Sequence, residues 1–341
     1  MSKMDYKSAG VDIAAGEQAV LSIKQMVKST YNQNVMGELG SFGGLYRFDQ
    51  GAFQSPILVS STDGVGTKLR VAIMANKYDT IGQDLVNHCV NDILVQGALP
   101  LFFLDYIGLA KMNPEMMSTI IGGMVKACIA NDCALIGGEM AEMSGIYHDG
   151  DFDLVGTIIG VVDQVNLLPA GRISKGDVLI GIPSSGLHTN GYSLARKIIF
   201  DHLKLNIDSY VEDCGASVGD LLLSVHISYL PLLRPYLANP SLHGLAHITG
   251  GGIAGNLKRI IPDGLCALVS YHEEEYPPLF KWLQHTADLD ADVMRESFNL
   301  GIGMIAVVRE NLVEELLQII GGILLGEIGE SRFGKGGVHF V

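Results

Sequence analysis

One short segment of this 341-residue chain combines two glycines, a carboxylate and a lysine. It reads Asp63-Gly64-Val65-Gly66-Thr67-Lys68 and follows the apolar run 56–61, which predicts a buried strand. Backbone N–H groups at glycines can face an anion, a lysine ammonium neutralises phosphate charge, and an aspartate can bind Mg²⁺. The segment suits phosphate chemistry, although it matches neither the P-loop nor the dinucleotide fingerprint. An ordinary strand–turn–helix connection explains it equally well.

Further carboxylates follow in the same half of the chain. A helix predicted over residues 80–96 places Asp84, His88 and Asp92 on one face, because they are spaced by four. Asp92 thus offers a second carboxylate to a metal–triphosphate complex, and Glu139 offers a third. Glu139 follows Gly137-Gly138, which is predicted to close a strand over residues 133–136. The simpler explanations are a solvated helix face for Asp92 and a plain glycine turn for Glu139.

Two segments of the second half are rich in neutral polar groups. The first, between a strand predicted over residues 177–182 and a helix beginning at Tyr192, contains Ser184, Ser185, His188, Thr189 and Asn190. Hydroxyl, amide and imidazole groups at a helix N-terminus can bind a phosphate or a sugar. An N-cap explains one such residue but not the whole set. The second segment, residues 247–252, ends in three glycines before another predicted helix, and its His247 is equally well explained as a buried core histidine.

The elements that must position these segments alternate between strands and helices, which predicts an α/β (α+β) fold. Strands are predicted over residues 56–61, 101–107, 133–136, 153–162, 177–182, 243–248, 266–270, 303–308 and 323–328. Helices are predicted over residues 16–29, 80–96, 114–130, 221–237, 278–286 and 311–320, and after residues 191 and 252. Residues 163–175 form the predicted connector between domains 1–168 and 169–341, and glycine-rich residues 37–44 form a predicted mobile loop.

Composition narrows the class of protein. A chain of 341 residues favours two domains, and a net charge of −14 with a pI of about 5.0 argues against nucleic acid as a partner. The five cysteines are odd in number and lack a CxxC pair, which predicts free buried thiols. The N-terminus lacks the apolar core of a signal peptide, and no apolar run reaches the roughly 20 residues that span a membrane. We therefore expect a cytoplasmic protein without membrane partners.

Eight segments, in this order and spacing, together resemble those of one known family. They are YKSAGVD (6–12), SSTDGVGTK (60–68), CVND (89–92), FFLDY (102–106), GGE (137–139), SSGLHTNGYS (184–193), HITGGG (247–252) and FNLGIGM (298–304). Each motif is short, but the ordered set resembles the phosphoribosylformylglycinamidine cyclo-ligases, also called aminoimidazole ribonucleotide synthetases. The resemblance covers the chain from about Tyr6 to the last predicted strand.

The resemblance implies a homodimer of two-domain chains. Domain 1–168 would bind ATP and form the dimer, in which its sheet pairs with that of the second chain to make a barrel. Domain 169–341 would be a mixed sheet flanked by helices and would bind the substrate. The implied reaction uses ATP and Mg²⁺ to cyclise formylglycinamidine ribonucleotide, giving 5-aminoimidazole ribonucleotide, ADP and phosphate in purine biosynthesis. The formyl oxygen is phosphorylated first, and the nitrogen that bears the ribose then displaces phosphate as the ring closes. Phosphate is a far better leaving group than an amide oxygen.

The resemblance also implies roles for individual residues. The ATP set is Lys24, Gly43, Gly44, Asp63, Gly64, Val65, Gly66, Thr67, Lys68, Asp92, Gly137, Gly138 and Glu139, with Asp63, Asp92 and Glu139 on Mg²⁺. The substrate set is Ser184, Ser185, His188, Thr189, Asn190, Thr249, Gly250, Gly251, Gly252 and Asn299. Lys68 is the expected phosphate cation, and either His188 or His247 is expected to move the ring proton.

Some positions depart from the family pattern. Met140 and Ser144 stand where a threonine and a proline are expected, and residues 224–228 replace a stretch that contains an arginine. If that arginine holds substrate phosphate, His226 would be a weaker, pH-sensitive substitute. The rival readings are thiamine-monophosphate kinase, selenophosphate synthetase and formylglycinamidine ribonucleotide synthetase, or a non-catalytic nucleotide-binding paralogue. Selenophosphate synthetase needs an early nucleophilic cysteine or selenocysteine, whereas the first cysteine here is Cys89.

Overall fold

The computed structural model describes residues 13–168, 170–331 and 334–341. The chain divides into two units, one of residues up to Ile93 with Ala98–Gln164, the other of Leu94–Gly97 with Val165–Val341. The YKSAGVD segment, residues 6–12, lies outside the described residues. Among the helices that the structure describes, none is long and apolar enough to cross a membrane.

The first unit contains a four-stranded sheet and the helices that cover it. Its helices are α1 (Ile13–Lys28), α2 (Lys68–Ala75), α3 (Ile81–Leu94) and α4 (Pro114–Ala130), and its strands are β1 (Pro56–Gly64), β2 (Leu99–Leu109), β3 (Ala134–Glu142) and β4 (Phe152–Asp163). The strand order is β1-β4-β2-β3, with β4 antiparallel to both neighbours and β2 parallel to β3. Helix α4 begins where Asn113 Oδ1 accepts a hydrogen bond from Met116 N, with Pro114 in the first turn.

The second unit is built on a six-stranded mixed sheet. Its strands are β5 (Val178–Pro183), β6 (Tyr210–Val211), β7 (Ala216–Ser217), β8 (Leu242–His247), β9 (Leu265–Val269), β10 (Ile302–Val308), β11 (Ile323–Glu330) and β12 (Gly337–Phe340), and its helices are α5 (Tyr192–Arg196), α6 (Val218–Leu222), α7 (Leu230–Leu233), α8 (Gly252–Leu257), α9 (Pro278–Ala287), α10 (Ala291–Ser297) and α11 (Glu310–Ile319). The order is β12-β9-β11-β5-β10-β8, and β6 pairs with β7 apart from it. Only the β12–β9 pair in this sheet is parallel. Strand β10 is buried along its whole length, as an apolar central strand should be.

The mixed α/β architecture predicted from the sequence is confirmed, as are the buried cysteines apart from the partly exposed Cys214. The single helix predicted over residues 221–237 is wrong: the chain forms α6, then a non-helical stretch, then α7. Pro231 lies in the first turn of α7, where it needs no N–H donor, whereas inside a continuous helix it would break one hydrogen bond and clash with the preceding turn. Helices α2 and α10 fall outside the predicted helix ranges, although the strand–turn–helix alternative for residues 63–68 implies a helix where α2 begins.

Candidate active site

The Asp63–Lys68 segment spans a strand end, a turn and a helix start. Asp63 and Gly64 are the last residues of β1, so the prediction that the strand ends at residue 61 is wrong. Gly66 has φ +68°, a left-handed conformation that glycine adopts without strain, and Lys68 opens α2. The backbone N–H of Gly64 donates to Asp63 Oδ1 at 2.7 Å. The turn thus fixes the aspartate at the point where β1 meets α2.

Asp63, His88 and Asp92 form a carboxylate–histidine cluster. His88 Nε2 lies 2.8 Å from Asp63 Oδ2 and 3.9 Å from Asp92 Oδ2. Ser61 Oγ donates to the same Asp92 oxygen at 2.9 Å. Burial lowers the pKa of His88, but the carboxylates of Asp63, Asp92 and Asp84 outweigh it, so the pKa is raised overall. The shared face of α3 is therefore mostly buried, and its interpretation as a solvated face is wrong.

Lys68 belongs to a buried ion pair. Its Nζ lies 2.8 Å from Asp84 Oδ2, and both side chains are fully buried. Burial lowers the pKa of Lys68, and the facing carboxylate of Asp84 opposes that shift. Because the side chain has no exposed surface, the ammonium faces Asp84 rather than solvent in this conformation. Direct contact between Lys68 and phosphate stays a prediction.

A cavity of about 520 Å³ lies beside β3 in the same unit. Five residues of the predicted ATP set line it, namely Gly43, Gly44, Gly137, Gly138 and Glu139. Its other walls come from α1, α4, β2, β3, Met112 and the loop at residues 39–42, and most of their side chains are apolar. The volume falls in the range of small-molecule sites. Lys24 is not among the lining residues; it pairs with Glu38 at 3.0 Å.

The glycine pair of the cavity lies inside β3, so the prediction that Gly137 and Gly138 close a strand is wrong. The strand continues to Glu142 because β3 pairs with β2 through this stretch. A Cβ atom at Gly138 would lie 2.2 Å from Asp105 Oδ1, so the glycine is needed for close packing. Asp105 also lines the cavity, and burial, with Glu139 nearby, raises its pKa to about 7. The sequence prediction missed Asp105 as a site residue, although a carboxylate inside the apolar FFLDY strand was a signal.

One row of residues across the sheet connects the cluster to the cavity. Asp63 on β1 pairs with Gly156 on β4, Gly156 pairs with Asp105 on β2, and Asp105 pairs with Gly138 on β3. Neighbouring strands are about 4.8 Å apart, so three steps cover about 14 Å. Of the predicted magnesium ligands, Asp63 and Asp92 share His88, whereas Glu139 lies at the cavity.

In the second unit, the predicted substrate segment forms the turn between β5 and α5. Ser184 Oγ donates to Gly186 O at 2.8 Å, and Asn299 Nδ2 donates to the same oxygen at 2.9 Å. Asn299 Oδ1 accepts from Gly301 N, so its amide ties this turn to the segment before β10. His188 has φ +58°, a left-handed conformation that few residues other than glycine adopt, although histidine, asparagine and aspartate adopt it more often than most. The surrounding contacts hold the turn in a conformation that its sequence alone does not favour.

Three imidazoles meet behind this turn. Thr189 Oγ1 lies 3.2 Å from His226 Nδ1, and His226 Nε2 lies 3.0 Å from His247 Nε2. The His188 and His226 rings are stacked, with centroids 4.0 Å apart and 20° between planes. His226 is fully buried, so its direct contact with a substrate phosphate, as a substitute for an arginine, stays a prediction. An arginine in its place would have to bury its guanidinium within this network.

The glycine turn after β8 adjoins the first turn. A Cβ atom at Gly250 would lie 3.4 Å from Asn190 Oδ1. Asn256 Nδ2 donates to the carbonyls of Thr249, Gly250 and Gly252, and Thr249 Oγ1 donates to Asn256 Oδ1. At Gly252, a Cβ atom would lie 1.9 Å from Arg295 O, so only glycine fits. The structure therefore brings both halves of the predicted substrate set together.

Comparison with known proteins identifies the family. The model described as "AIR synthase related protein, N-terminal domain" matches residues 49–162, and "AIR synthase related protein, C-terminal domain" matches residues 174–340. A phosphoribosylformylglycinamidine cyclo-ligase of Desulfatibacillum aliphaticivorans is 49% identical over 93% of this chain and 91% of its own. This chain belongs to the phosphoribosylformylglycinamidine cyclo-ligase family. A further relative of that name, from Geobacter sulfurreducens, is 46% identical over 98% of each chain.

Solved structures of other proteins share the cyclo-ligase fold. A thiamine-monophosphate kinase of Stenotrophomonas maltophilia K279a has a TM-score of 0.63 at 16% identity, over 94% of this chain and 95% of its own. The hydrogenase maturation protein HypE in complex with ATP has a TM-score of 0.60 at 16% identity, over 93% of this chain and 89% of its own. At such identities the likeness concerns the fold alone. Function must be argued from the sites.

Proposed function

We propose that this chain catalyses the ATP-dependent cyclisation of formylglycinamidine ribonucleotide to 5-aminoimidazole ribonucleotide, with release of ADP and phosphate. The observation that carries the proposal is the match, over nearly the whole chain, to proteins named phosphoribosylformylglycinamidine cyclo-ligase. The geometry of the two candidate sites is compatible with this reaction. The first unit offers carboxylates and a glycine-lined cavity, and the second offers hydroxyls, amides and imidazoles.

The first unit is assigned to the nucleotide. The apolar, glycine-lined cavity suits a purine and its sugar, because flat rings need close backbone approach and few charges. The side chains of Asp63 and Asp92 are 46% and 26% exposed, and their oxygens are the hard ligands that Mg²⁺ prefers. Asp63 and Asp92 would hold Mg²⁺, which, when bound, offsets the negative charge of the phosphates. Glu139 lies at the cavity, about 14 Å from Asp63 across the sheet, so it would contact a different part of the nucleotide–metal complex than Asp63 and Asp92 do.

The second unit is assigned to the ribonucleotide substrate. The hydroxyls of Ser184, Ser185 and Thr189, the amide of Asn190 and the glycine turn Gly250–Gly252 would orient it. Transfer of the γ-phosphoryl group to the formyl oxygen forms a new P–O bond and breaks the bond to ADP. The ribose-bearing nitrogen then forms a C–N bond as the carbon–oxygen bond to phosphate breaks, and that nitrogen loses a proton. Either His188 or His247 is the proposed acceptor.

The proposal includes a homodimer that works in the cytoplasm with no nucleic acid or membrane partner. Strand β1 forms one edge of the first sheet, and its Leu58 side chain is 64% exposed. An apolar edge strand of this kind favours pairing with a second copy. The proposed partner is the β1 edge of another first unit.

The test is a direct assay of the product. Purified protein, ATP and Mg²⁺ are incubated with formylglycinamidine ribonucleotide, and aminoimidazole ribonucleotide and ADP are measured by mass spectrometry. The two products should appear in equal amounts and only with all three additions. ADP without aminoimidazole ribonucleotide contradicts the proposal. Thiamine monophosphate serves as the parallel substrate, because the kinase shares the fold; its phosphorylation would favour that rival.

A further inference from the structure

His226 lies between two groups that the proposed reaction uses. One ring nitrogen, Nδ1, is 3.2 Å from the hydroxyl of Thr189, and the other, Nε2, is 3.0 Å from Nε2 of His247. The side chain is fully buried, and those of Thr189 and His247 are nearly so. His226 belongs to the non-helical stretch between α6 and α7, so its place depends on the break in the helix.

The packing around His226 is close enough to fix its ring plane. His188 stacks on it at 4.0 Å between centroids. Tyr229, three residues along the chain, donates its hydroxyl to Pro183 O at 2.9 Å, and its ring centroid lies 6.2 Å from that of His188. A Cβ atom at Gly303 would lie 1.9 Å from Tyr229 Oη and 2.6 Å from His188 Cε1, so β10 needs glycine at this point. The ring therefore cannot turn without moving several buried groups.

A neutral imidazole carries one N–H donor and one acceptor nitrogen. If the proton is on Nε2 of His226, this ring donates to His247 and accepts from Thr189. If it is on Nδ1, it donates to Thr189 and accepts from His247. Whether the Thr189 hydroxyl donates to His226 or accepts from it therefore depends on which nitrogen of His247 carries the proton, and the buried ring of His226 connects the two.

We infer that His226 is a positioning residue that couples the tautomer of His247 to the orientation of the Thr189 hydroxyl. This inference rests on the proposed function, since it assigns Thr189 to the substrate and His247 to the proton. When His247 carries its proton on Nε2, His226 carries its own on Nδ1 and donates to Thr189, whose hydroxyl can then donate to the substrate. When His247 carries its proton on Nδ1, His226 donates to His247 and accepts from Thr189, whose oxygen then accepts from the substrate.

Two conservative variants of His226 separate its contact with Thr189 from its contact with His247. The amide of His226→Asn can replace Nδ1 and keep the contact to Thr189, whereas the amide of His226→Gln can replace Nε2 and keep the contact to His247. Each should lower kcat by about 10-fold or more with the KM for ATP unchanged, because each breaks the coupling. Thr189→Val should cost less kcat in either His226 background than in wild type, because each variant has already lost one link of the Thr189–His226–His247 chain.

His243→Asn is the matched control. His243 is also buried in the second unit, with Nδ1 2.7 Å from Asp177 Oδ2, and lies outside the proposed substrate set. It should alter the melting temperature without altering kcat. Wild-type kcat in both His226 variants, or full additivity of Thr189→Val with His226→Gln, would overturn the inference.

A readout independent of catalysis separates this inference from the proposed function. In protein with ¹⁵N-labelled histidine, Thr189→Val should shift the ring nitrogens of both His226 and His247, because His226 then keeps its proton on Nε2. Shifts confined to His226 would overturn the coupling. An inactive wild type with coupled shifts would count against the proposed reaction and leave the coupling supported.

Discussion

The two candidate sites of this chain handle polarity in opposite ways. In the first unit, charged side chains carry the site: Asp63 and Asp92 face His88, and Lys68 faces Asp84 out of contact with solvent. In the second unit, every residue of the predicted substrate set is uncharged or an imidazole, and tight turns hold them. The first site therefore relies on charge, and the second relies on the geometry of its hydrogen bonds.

The difference matches the demands of the proposed reaction. A migrating phosphoryl group concentrates negative charge, which fixed charges and metal ligands stabilise. Ring closure moves a proton and a neutral nitrogen over a short distance, for which orientation matters more than charge. If the comparison is right, charge-removing substitutions should harm the first site most, and changes of shape should harm the second.

Removing charge at Asp63 should have the largest effect. Asp63→Asn keeps the shape of the side chain but deletes a proposed metal ligand and the carboxylate facing His88. We expect kcat to fall by about 10²-fold or more. The measurement is steady-state kinetics across a Mg²⁺ titration, with Asp149→Asn, an exposed aspartate of the same unit, as the control. Equal kinetics for the two variants would remove Asp63 from the phosphate site.

The buried Lys68–Asp84 pair allows a test of whether Lys68 acts on phosphate or only on structure. Lys68→Met alone leaves Asp84 buried opposite an apolar side chain and should cost about 3–5 kcal/mol of unfolding free energy. Adding Asp84→Leu should restore most of that stability, which urea unfolding measures. If Lys68 contacts phosphate during catalysis, the restored double variant stays inactive. Recovery of kcat along with stability would limit Lys68 to a structural role.

The sequence predicted most of the elements that hold these sites because their apolar patterns are local. Helix α4 was predicted with its observed bounds, since Pro114 and the apolar run that follows define it. The prediction of one helix over residues 221–237 was wrong because it followed the apolar pattern and gave too little weight to Pro231, a residue that disfavours a helix interior. The predicted strand ends at residues 61 and 136 came too early, because the glycine-containing segments that follow were taken as turns. Pairing with neighbouring strands, which no local pattern reports, carries β1 and β3 through these glycines.

The site was harder to predict than the fold, because its geometry also depends on contacts between residues that are distant in the sequence. The residue types and their spacing in the sequence indicated Asp63, Asp92 and the two turns of the second unit as site residues. They did not indicate that Lys68 is buried, because its burial depends on the ion pair with Asp84, sixteen positions along the chain. His226 gained its place only from contacts with Thr189 and His247, both about twenty positions or more away. Distant partners decide whether a polar residue faces a ligand or another side chain.

A change of shape in the second site should act mainly through stability. Gly252→Ala places a Cβ atom 1.9 Å from Arg295 O at a residue with φ +60°, so the backbone must move. We expect a loss of about 2–4 kcal/mol of unfolding free energy. Gly255→Ala is the matched control in the same helix, where a Cβ atom meets nothing within 4 Å, and it should be neutral or slightly stabilising. Equal unfolding midpoints would contradict the packing described for this turn.

The smallest expected effect concerns the cavity of the first unit, where shape rather than charge meets the proposed nucleotide. A Cβ atom at Gly44 would lie 2.7 Å from the side chain of Ile136, so Gly44→Ala must push that side chain aside. At neighbouring Gly43, a Cβ atom meets nothing within 4 Å, although both glycines line the cavity. The Cβ atom of Gly44→Ala would also lie 3.0 Å from the Ile136 carbonyl oxygen. We expect Gly44→Ala to raise the KM for ATP about threefold to tenfold, a cost of about 1 kcal/mol, with kcat kept and Gly43→Ala unchanged. A contact that binds ground state and transition state equally affects KM alone. A fall in kcat without a change in KM would therefore mean that the cavity takes part in the chemical step, which would contradict the assignment of that step in the first unit to charged residues.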